Sequence, residues 1–332
     1  MLPKQRSAVI LRPTLMNSKP PRRMDRRWPL AAMALVILFV SGFAVVRADV
    51  LGMGERFDRW TARIGAFIDP PPDRSTVPTV VVTPAPTPSA TPHPTPTPSG
   101  APSATATPSP TPLVRAPVDV ALVADHAAVF ASQNTNKDCA AAGAQMVLTI
   151  LGLGNTSPEF QEELKHRIGE WESFNDSYDG GWGPGAVGLA IAAYGAPGYE
   201  IRVYDSHIDA LRGAATALSA TNSPVVFFPW WGAHTWVMTG YRADADPLLF
   251  ADATVSGLYI LDPWYPRFST IWGQSDGPGN FEDLAEMERN WPVYAGPPGY
   301  EAVGPGWTRP EGFYPDRDGR YVVLIPTIPL GS

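Results

Sequence analysis

Two apolar rhythms follow one another along the second half of the chain. Helical spacing comes first. Asp138 precedes a run from Cys139 to about Leu151 in which Ala140, Ala141, Ala142, Met146, Val147 and Leu148 are helix formers or core residues, and Gly152 supplies a stop. Asp138 is expected to cap that helix. Ser157-Pro158 opens a second helix to about Gly169, with proline at the first helical position. Gly185–Tyr194 is small and apolar and ends at Gly195, as a buried helix does, and Asp209–Ala220 is again helical. Between them Tyr199–Tyr204 alternates like a strand. After residue 220 the period changes to two. Pro224–Phe228, His234–Tyr241, Leu258–Leu261 and Tyr321–Ile325 are β-branched or aromatic runs divided by Gly, Pro and Asp. Helices first and strands later predict an α+β fold with an antiparallel sheet. The segment Gly273–Gly312 is Gly/Pro-rich and long for a loop in a compact domain, so it is expected either to cover the cleft or to be partly ordered by Trp291 and Tyr294.

Upstream of about Val118 neither rhythm holds. Leu30 to Val46 is an uncharged run of 17 apolar or small residues, with Arg22, Arg23, Arg26 and Arg27 directly before it. That length is the lower limit of a membrane-spanning helix, and the basic flank places residues 1–29 in the cytoplasm. The run at 30–46 is thus expected to be a signal anchor that leaves the C-terminal domain outside the cell. The other reading is a signal peptide cut near Val46-Arg47-Ala48, giving a secreted protein. Residues 49–68 carry a helical apolar pattern (Val50, Leu51, Phe57, Trp60, Ile64, Phe67) suited to a juxtamembrane helix. From Thr83 to Pro112 every residue is Pro, Thr, Ser or Ala except His93 and Gly100. Such a composition has nothing to bury, so residues 69–117 are expected to be a disordered linker and residues 118–332 a single domain. In polyproline II form some 40 linker residues would reach up to ~120 Å, a spacer that lifts a domain off a surface.

Charge narrows the function. The net charge is −7, but residues 1–27 carry +7, so the remainder is strongly acidic. An acidic domain without basic clusters repels a phosphate backbone, which argues against a nucleic-acid partner. One cysteine, Cys139, excludes an intrachain disulfide and a multi-thiolate zinc site. His93, His126, His166 and His207 show no paired ligand spacing, so neither a metal nor another cofactor is expected.

An isolated cysteine is most often a small buried hydrophobe. Cys139, however, stands at a helix start, where backbone N–H groups and the helix dipole favour a thiolate. Gln133, six residues upstream, carries an amide able to donate to an oxyanion. His234 follows the aromatic turn Trp230-Trp231-Gly232-Ala233, and Asp262 closes Leu261-Asp262 on a later strand, where it can orient an imidazole. Asp244, Asp246 and Asp252 compete for that orienting role. Nucleophile, base and orienter together describe acyl transfer. Trp230, Trp231, Trp236 and Trp264 flank this constellation either as core or as the wall of a subsite.

Three stretches carry a family resemblance: Gln133-Asn-Thr-Asn-Lys-Asp138-Cys139 before an Ala-rich helix, His234-Thr-Trp-Val-Met-Thr-Gly-Tyr241, and Leu261-Asp262-Pro263. In that order, over about 130 residues, they resemble papain-like cysteine peptidases, and within them the bacteriocin leader-processing (double-glycine, C39-like) peptidases in a stand-alone form. The resemblance implies a helical lobe carrying the cysteine against a sheet carrying the histidine. It implies Cys139 as nucleophile, His234 as general base, Asp262 as orienter and Gln133 as oxyanion donor, acting on a peptide or protein substrate. Cell-wall peptide is among the substrates left open, as is the oligomeric state. The family has Gly after the nucleophile, whereas this chain has Ala140, which leaves open an inactive peptide-binding relative. Transglutaminase-like proteins and cell-wall endopeptidases share the chemistry and remain alternatives.

Overall fold

The computed structural model describes residues 76–83, 113–173, 175–177, 182–269, 273–294 and 314–330, with isolated positions between 33 and 69. The expected membrane segment 30–46 and helix 49–68 lie, apart from those isolated positions, outside the described residues. Among the described residues no helix is long and apolar enough to cross a membrane.

The architecture is α+β. In chain order the strands are β1 (Thr79–Val82), β2 (Val118–Ala121), β3 (Tyr199–Tyr204), β4 (Val225–Phe227), β5 (Trp236–Ala243), β6 (Val255–Leu261), β7 (Phe268–Ser269), β8 (Gly273–Gln274), β9 (Asn280–Asp283) and β10 (Tyr321–Pro326). The helices are α1 (His126–Val129), α2 (Cys139–Ile150), α3 (Pro158–His166), α4 (Pro184–Ala193), α5 (His207–Thr221) and α6 (Leu284–Asn290). The main sheet runs β1-β3-β10-β4-β5-β6-β9, and β2 takes up the edge of β5 beyond the end of β4. Every pairing in it is antiparallel except β1 with β3.

Strand periodicity divides the core into two layers. Along β10, Val322 and Leu324 face the cluster built on α2, α3 and α4, while Val323 and Ile325 face the one built on α5 and Trp291. Residues 225–227 divide the same way, Val226 to the first side, Val225 and Phe227 to the other. A strand buried on both faces has no polar alternation, which is why these runs read as continuously apolar. The Cys139 helix and α5 therefore lie on opposite faces of one sheet.

The structure corrects the expected linker. Residues 76–82 fall within the segment 69–117, yet β1 pairs in parallel register with β3, from Thr79 opposite Ile201 to Val82 opposite Tyr204. Ile201 N–H donates to Pro78 O at 2.8 Å, and Val77 is buried against Gly188 of α4. The run Val77-Pro-Thr-Val-Val-Val82 has the β-branched side chains that the Pro/Thr repeat lacks. The repeat at 83–112 thus connects two strands of one sheet. The expected loop at 273–312 is corrected as well, since β9 pairs with β6 and α6 follows it. Asp283 caps α6 by accepting from Ala285 N and Glu286 N, while Glu286 returns the bond to Asp283 N, a capping box.

Candidate active site

Cys139 is the first residue of α2, and the loop before it is held from both sides. On the helical side, Gln161 of α3 accepts from Asn134 N at 2.6 Å and donates to Ser132 O and to Gln145 Oε1 of α2. Gln145 in turn donates to Asn155 O and Ser157 O. This amide network ties the loop to two helices. On the sheet side, Gln133 N–H donates to Pro263 O at 2.9 Å, and the Arg267 guanidinium reaches Gln133 O, Asn134 O and Asn136 Oδ1. The cysteine loop is thereby registered against the turn that follows Asp262.

Asp138 does not cap α2 as expected. Its backbone (φ −93°, ψ 13°) is not extended, and its carboxylate turns back to accept from Thr135 N and to pair with Lys165 at 2.9 Å. The first amide to bond back along the helix is Ala142 N–H, to Asp138 O, so the amides of residues 139–141 stand at the open helix mouth. The methyl group of Ala140 packs into the apolar cluster.

One turn along α2, a Cβ on Gly143 would come within 2.5 Å of Thr235 Cγ2. Glycine in a helix interior costs about 0.5–1 kcal/mol relative to alanine. Here it lets the cysteine helix lie directly on the residue after His234.

His234 precedes β5 by two residues instead of opening it. Trp230, Trp231 and Gly232 have φ of 56°, 60° and 88°, a left-handed turn that bulky side chains rarely adopt, and His234 N–H closes it on Pro229 O at 3.3 Å. The turn lays the Trp230 ring on the imidazole, with centroids 4.0 Å apart and planes 13° from parallel. Trp264 meets the imidazole edge-on at 6.5 Å.

Because Val237 of β5 is registered with Leu261 of β6, His234 and Asp262 emerge at the same end of this strand pair. His234 Nε2 and Asp262 Oδ1 are 2.6 Å apart, and both residues are buried, at 3% and 6% exposure. Asp262 Oδ1 also accepts from Trp264 N at 2.9 Å. The half-buried Cys139 side chain lies close enough to act on the same imidazole, whose other ring nitrogen, Nδ1, is not engaged by Asp262. Burial pulls the His234 pKa down, but the Asp262 charge and the hydrogen bonds to Asp262 and Cys139 outweigh it and push it up to about 9. These influences favour the protonated form of the ring.

Of the expected residues, the structure brings Cys139, His234 and Asp262 together. Gln133 lies in the same loop and is buried, but its Nε2 donates to Thr135 O at 2.7 Å and its Oε1 has no partner, so it makes no hydrogen bond to Cys139 or His234. Asp244 and Asp252 pair with Arg115, and Asp246 accepts from Leu248 N, so none of the three orients His234. Among the described residues no three His, Cys, Asp or Glu side chains are grouped to hold a metal ion.

No protein-family model matches the chain, and no curated protein matches it. A solved structure of a double glycine motif protease from an AMS/PCAT transporter, in complex with the leader peptide, is similar at 17% identity and a TM-score of 0.28. The match covers 60% of this chain and 91% of that one.

Three contributors to the site escaped the sequence reading. Arg267 is one, because its target carbonyls are more than 130 residues away. Gly143 is another, since a lone glycine in an Ala-rich helix gives no hint of its neighbour. The stacking of Trp230 is the third, because it depends on a left-handed turn that non-glycine residues do not advertise.

Proposed function

We propose that the domain is a thiol hydrolase acting on peptide or related amide bonds, with a Cys139–His234–Asp262 centre on a papain-like plan. The buried 2.6 Å contact between His234 and Asp262, with Cys139 near enough to influence the same imidazole, carries this reading. In the ion pair the proton of Cys139 resides on His234, and Sγ attacks the carbonyl carbon. The oxyanion is received at the open mouth of α2 by the Cys139 amide, and by the second amide hydrogen of Gln133 if its side chain turns from Thr135. His234 then protonates the leaving nitrogen as the C–N bond breaks, leaving a thioester on Cys139. Water attacks the thioester, its proton passes to His234, and the C–S bond breaks to restore the pair. Asp262 keeps the imidazole oriented and stabilises its charge throughout. Ala140 is compatible with this chemistry because its methyl is buried in the core instead of standing in the cleft. We further propose that residues 30–46 anchor the chain with this domain outside the cell.

The chemistry is tested without knowing the substrate by exposing the protein to p-nitrophenyl acetate. The expected result is a burst of p-nitrophenol equivalent to one per chain, with an acetyl group on Cys139 by mass spectrometry. His234→Ala abolishes the burst. A parent protein that shows no burst is a binding module, and the hydrolase reading falls.

A further inference from the structure

Behind the His234–Asp262 pair lies a cavity of about 70 Å³ with Trp230, Trp236, Trp264, Asp262, Asp276 and Glu282 in its lining. Trp236, Trp264 and Glu282 are each more than nine-tenths buried, at 4%, 3% and 3% exposure. The indole N–H groups of Trp236 and Trp264 and Glu282 Oε2 have no hydrogen-bond partner. A buried carboxyl oxygen without a donor costs about 1–3 kcal/mol, more if charged. With the Asp276 carboxyl beside it, Glu282 must either share a proton with that neighbour or take a donor from outside.

The surroundings state what kind of donor. Burial raises the pKa of Glu282 to about 7; the Asn280 hydrogen bond, at 3.3 Å to Oε1, opposes this, and the nearby Glu286 and Asp276 charges and a proton shared with the Asp276 carboxyl add to it. An incoming cation offsets all three destabilising influences and an anion worsens two of them. Arg289, also in the lining, is largely exposed and faces Glu286 at 3.9 Å, which places it at the rim. Aromatic walls with one buried carboxylate are the composition that holds an ammonium group, through cation–π attraction and a charge-assisted hydrogen bond. Size limits the rest. One water fills ~10–15 Å³ of such space, so the cavity takes about five to seven heavy atoms. An ammonium nitrogen on a four-carbon stem fits within that.

We infer that this cavity binds a primary ammonium group on a short unbranched alkyl chain, with Glu282 as its carboxylate partner and the indoles as its walls. Its position rests on the proposed thiol centre, because Asp262 is common to both. An occupant here contacts Asp262 on the side of the imidazole away from Cys139, so it is a part of the substrate remote from the bond under attack or a separate amine. A lysine-like side chain on a peptide and a free small alkylamine present the same chemistry.

The test is a tryptophan-fluorescence titration of the full chain with n-butylammonium chloride, against n-butanol and sodium butyrate at equal ionic strength. A saturable change with butylammonium is expected, with none for the other two, and binding at least tenfold weaker in Glu282→Gln. Near-UV circular dichroism confirms that variant's fold, and Asp276→Asn, also expected to weaken binding, replaces it if the fold is lost. Nα-acetyl-lysine methylamide binding more tightly than butylammonium assigns the site to a peptide side chain, and weaker binding assigns it to a free amine. Equal binding of butanol, tighter binding of butyrate, no saturation with butylammonium, or unchanged affinity in folded variants overturns the inference. The p-nitrophenyl acetate burst, measured on the same samples, separates the two proposals. A burst without amine binding defeats only the ammonium site, and amine binding without a burst defeats only the hydrolase.

Discussion

Replacing Asp262 by Asn removes one charge and little else. Asp262 Oδ1 accepts from both His234 Nε2 and Trp264 N, so an asparagine oxygen in the same place keeps both hydrogen bonds and the turn they hold. What changes is the proton on His234. In the parent its pKa stands at about 9 against an ordinary 6.5, despite burial. At ~1.36 kcal/mol per pKa unit that difference is about 3 kcal/mol in favour of the imidazolium, roughly 10²-fold in the ratio of protonated to neutral ring. Without the Asp262 charge, burial meets less opposition and the His234 pKa falls. The imidazolium is then less populated at pH 7 and Cys139 is left with a weaker ion-pair partner. The assay is the rate of iodoacetamide alkylation at the single cysteine, from pH 5 to 10, in parent and Asp262→Asn. Parent alkylation is expected to hold its rate through neutral pH and to lose its His234 dependence above about pH 9, while the variant follows an ordinary thiol, far slower at pH 6. Stability moves with the same proton. Native His234 keeps it to about pH 9, whereas the unfolded chain releases it near 6.5. This contribution is full below pH 6.5 and is lost as pH rises through 9, by up to about 1.4 kcal/mol per pH unit. Asp262→Asn flattens that slope. Identical alkylation profiles and identical slopes in the two proteins would refute the argument.

Three further outcomes follow from the packing. Gly143→Ala drives a methyl into Thr235 Cγ2 and is expected to cost about 1–3 kcal/mol and to slow Cys139 alkylation; adding Thr235→Ser, which deletes Cγ2, restores both, as urea unfolding and alkylation rates will report. Arg317→Met leaves the fully buried Asp176 carboxylate, now paired at 2.8 Å, with only the α4 amides of Gly185 and Ala186, a loss of about 3 kcal/mol by thermal or chemical denaturation. A fragment starting at residue 118 lacks β1 and the buried Val77, and should melt below one starting at 76, with burial of Val77 alone worth about 1.5–3 kcal/mol.

Local chemistry made much of the domain legible. The helix from Cys139, the alternation at Tyr199–Tyr204 and the helix over 207–221 declare themselves within a dozen residues, and Asp262 was placed by the strand it closes. What failed was non-local or masked by composition. β1 exists because β3 offers an open edge, and its short valine run is easily lost beside a proline repeat. α6 had a readable Asp283–Glu286 capping box, obscured by the glycines and prolines around it. Asp138 reads as a cap from residue type alone, but Lys165, packed across from the next helix, claims its carboxylate. The stacking of Trp230 on His234 depends on two non-glycine residues in left-handed conformation, for which sequence offers no rule.

The central claim is that Cys139 and His234 share one proton as an ion pair. Cys139 is the only cysteine of the chain, so thiolate absorbance at 240 nm reports on it alone. The measurement is a difference titration, the parent and His234→Ala each set against its own Cys139→Ala version. The account predicts that the two curves separate, with the parent showing thiolate at lower pH than His234→Ala. Coincident curves with the titration of an ordinary thiol would contradict it.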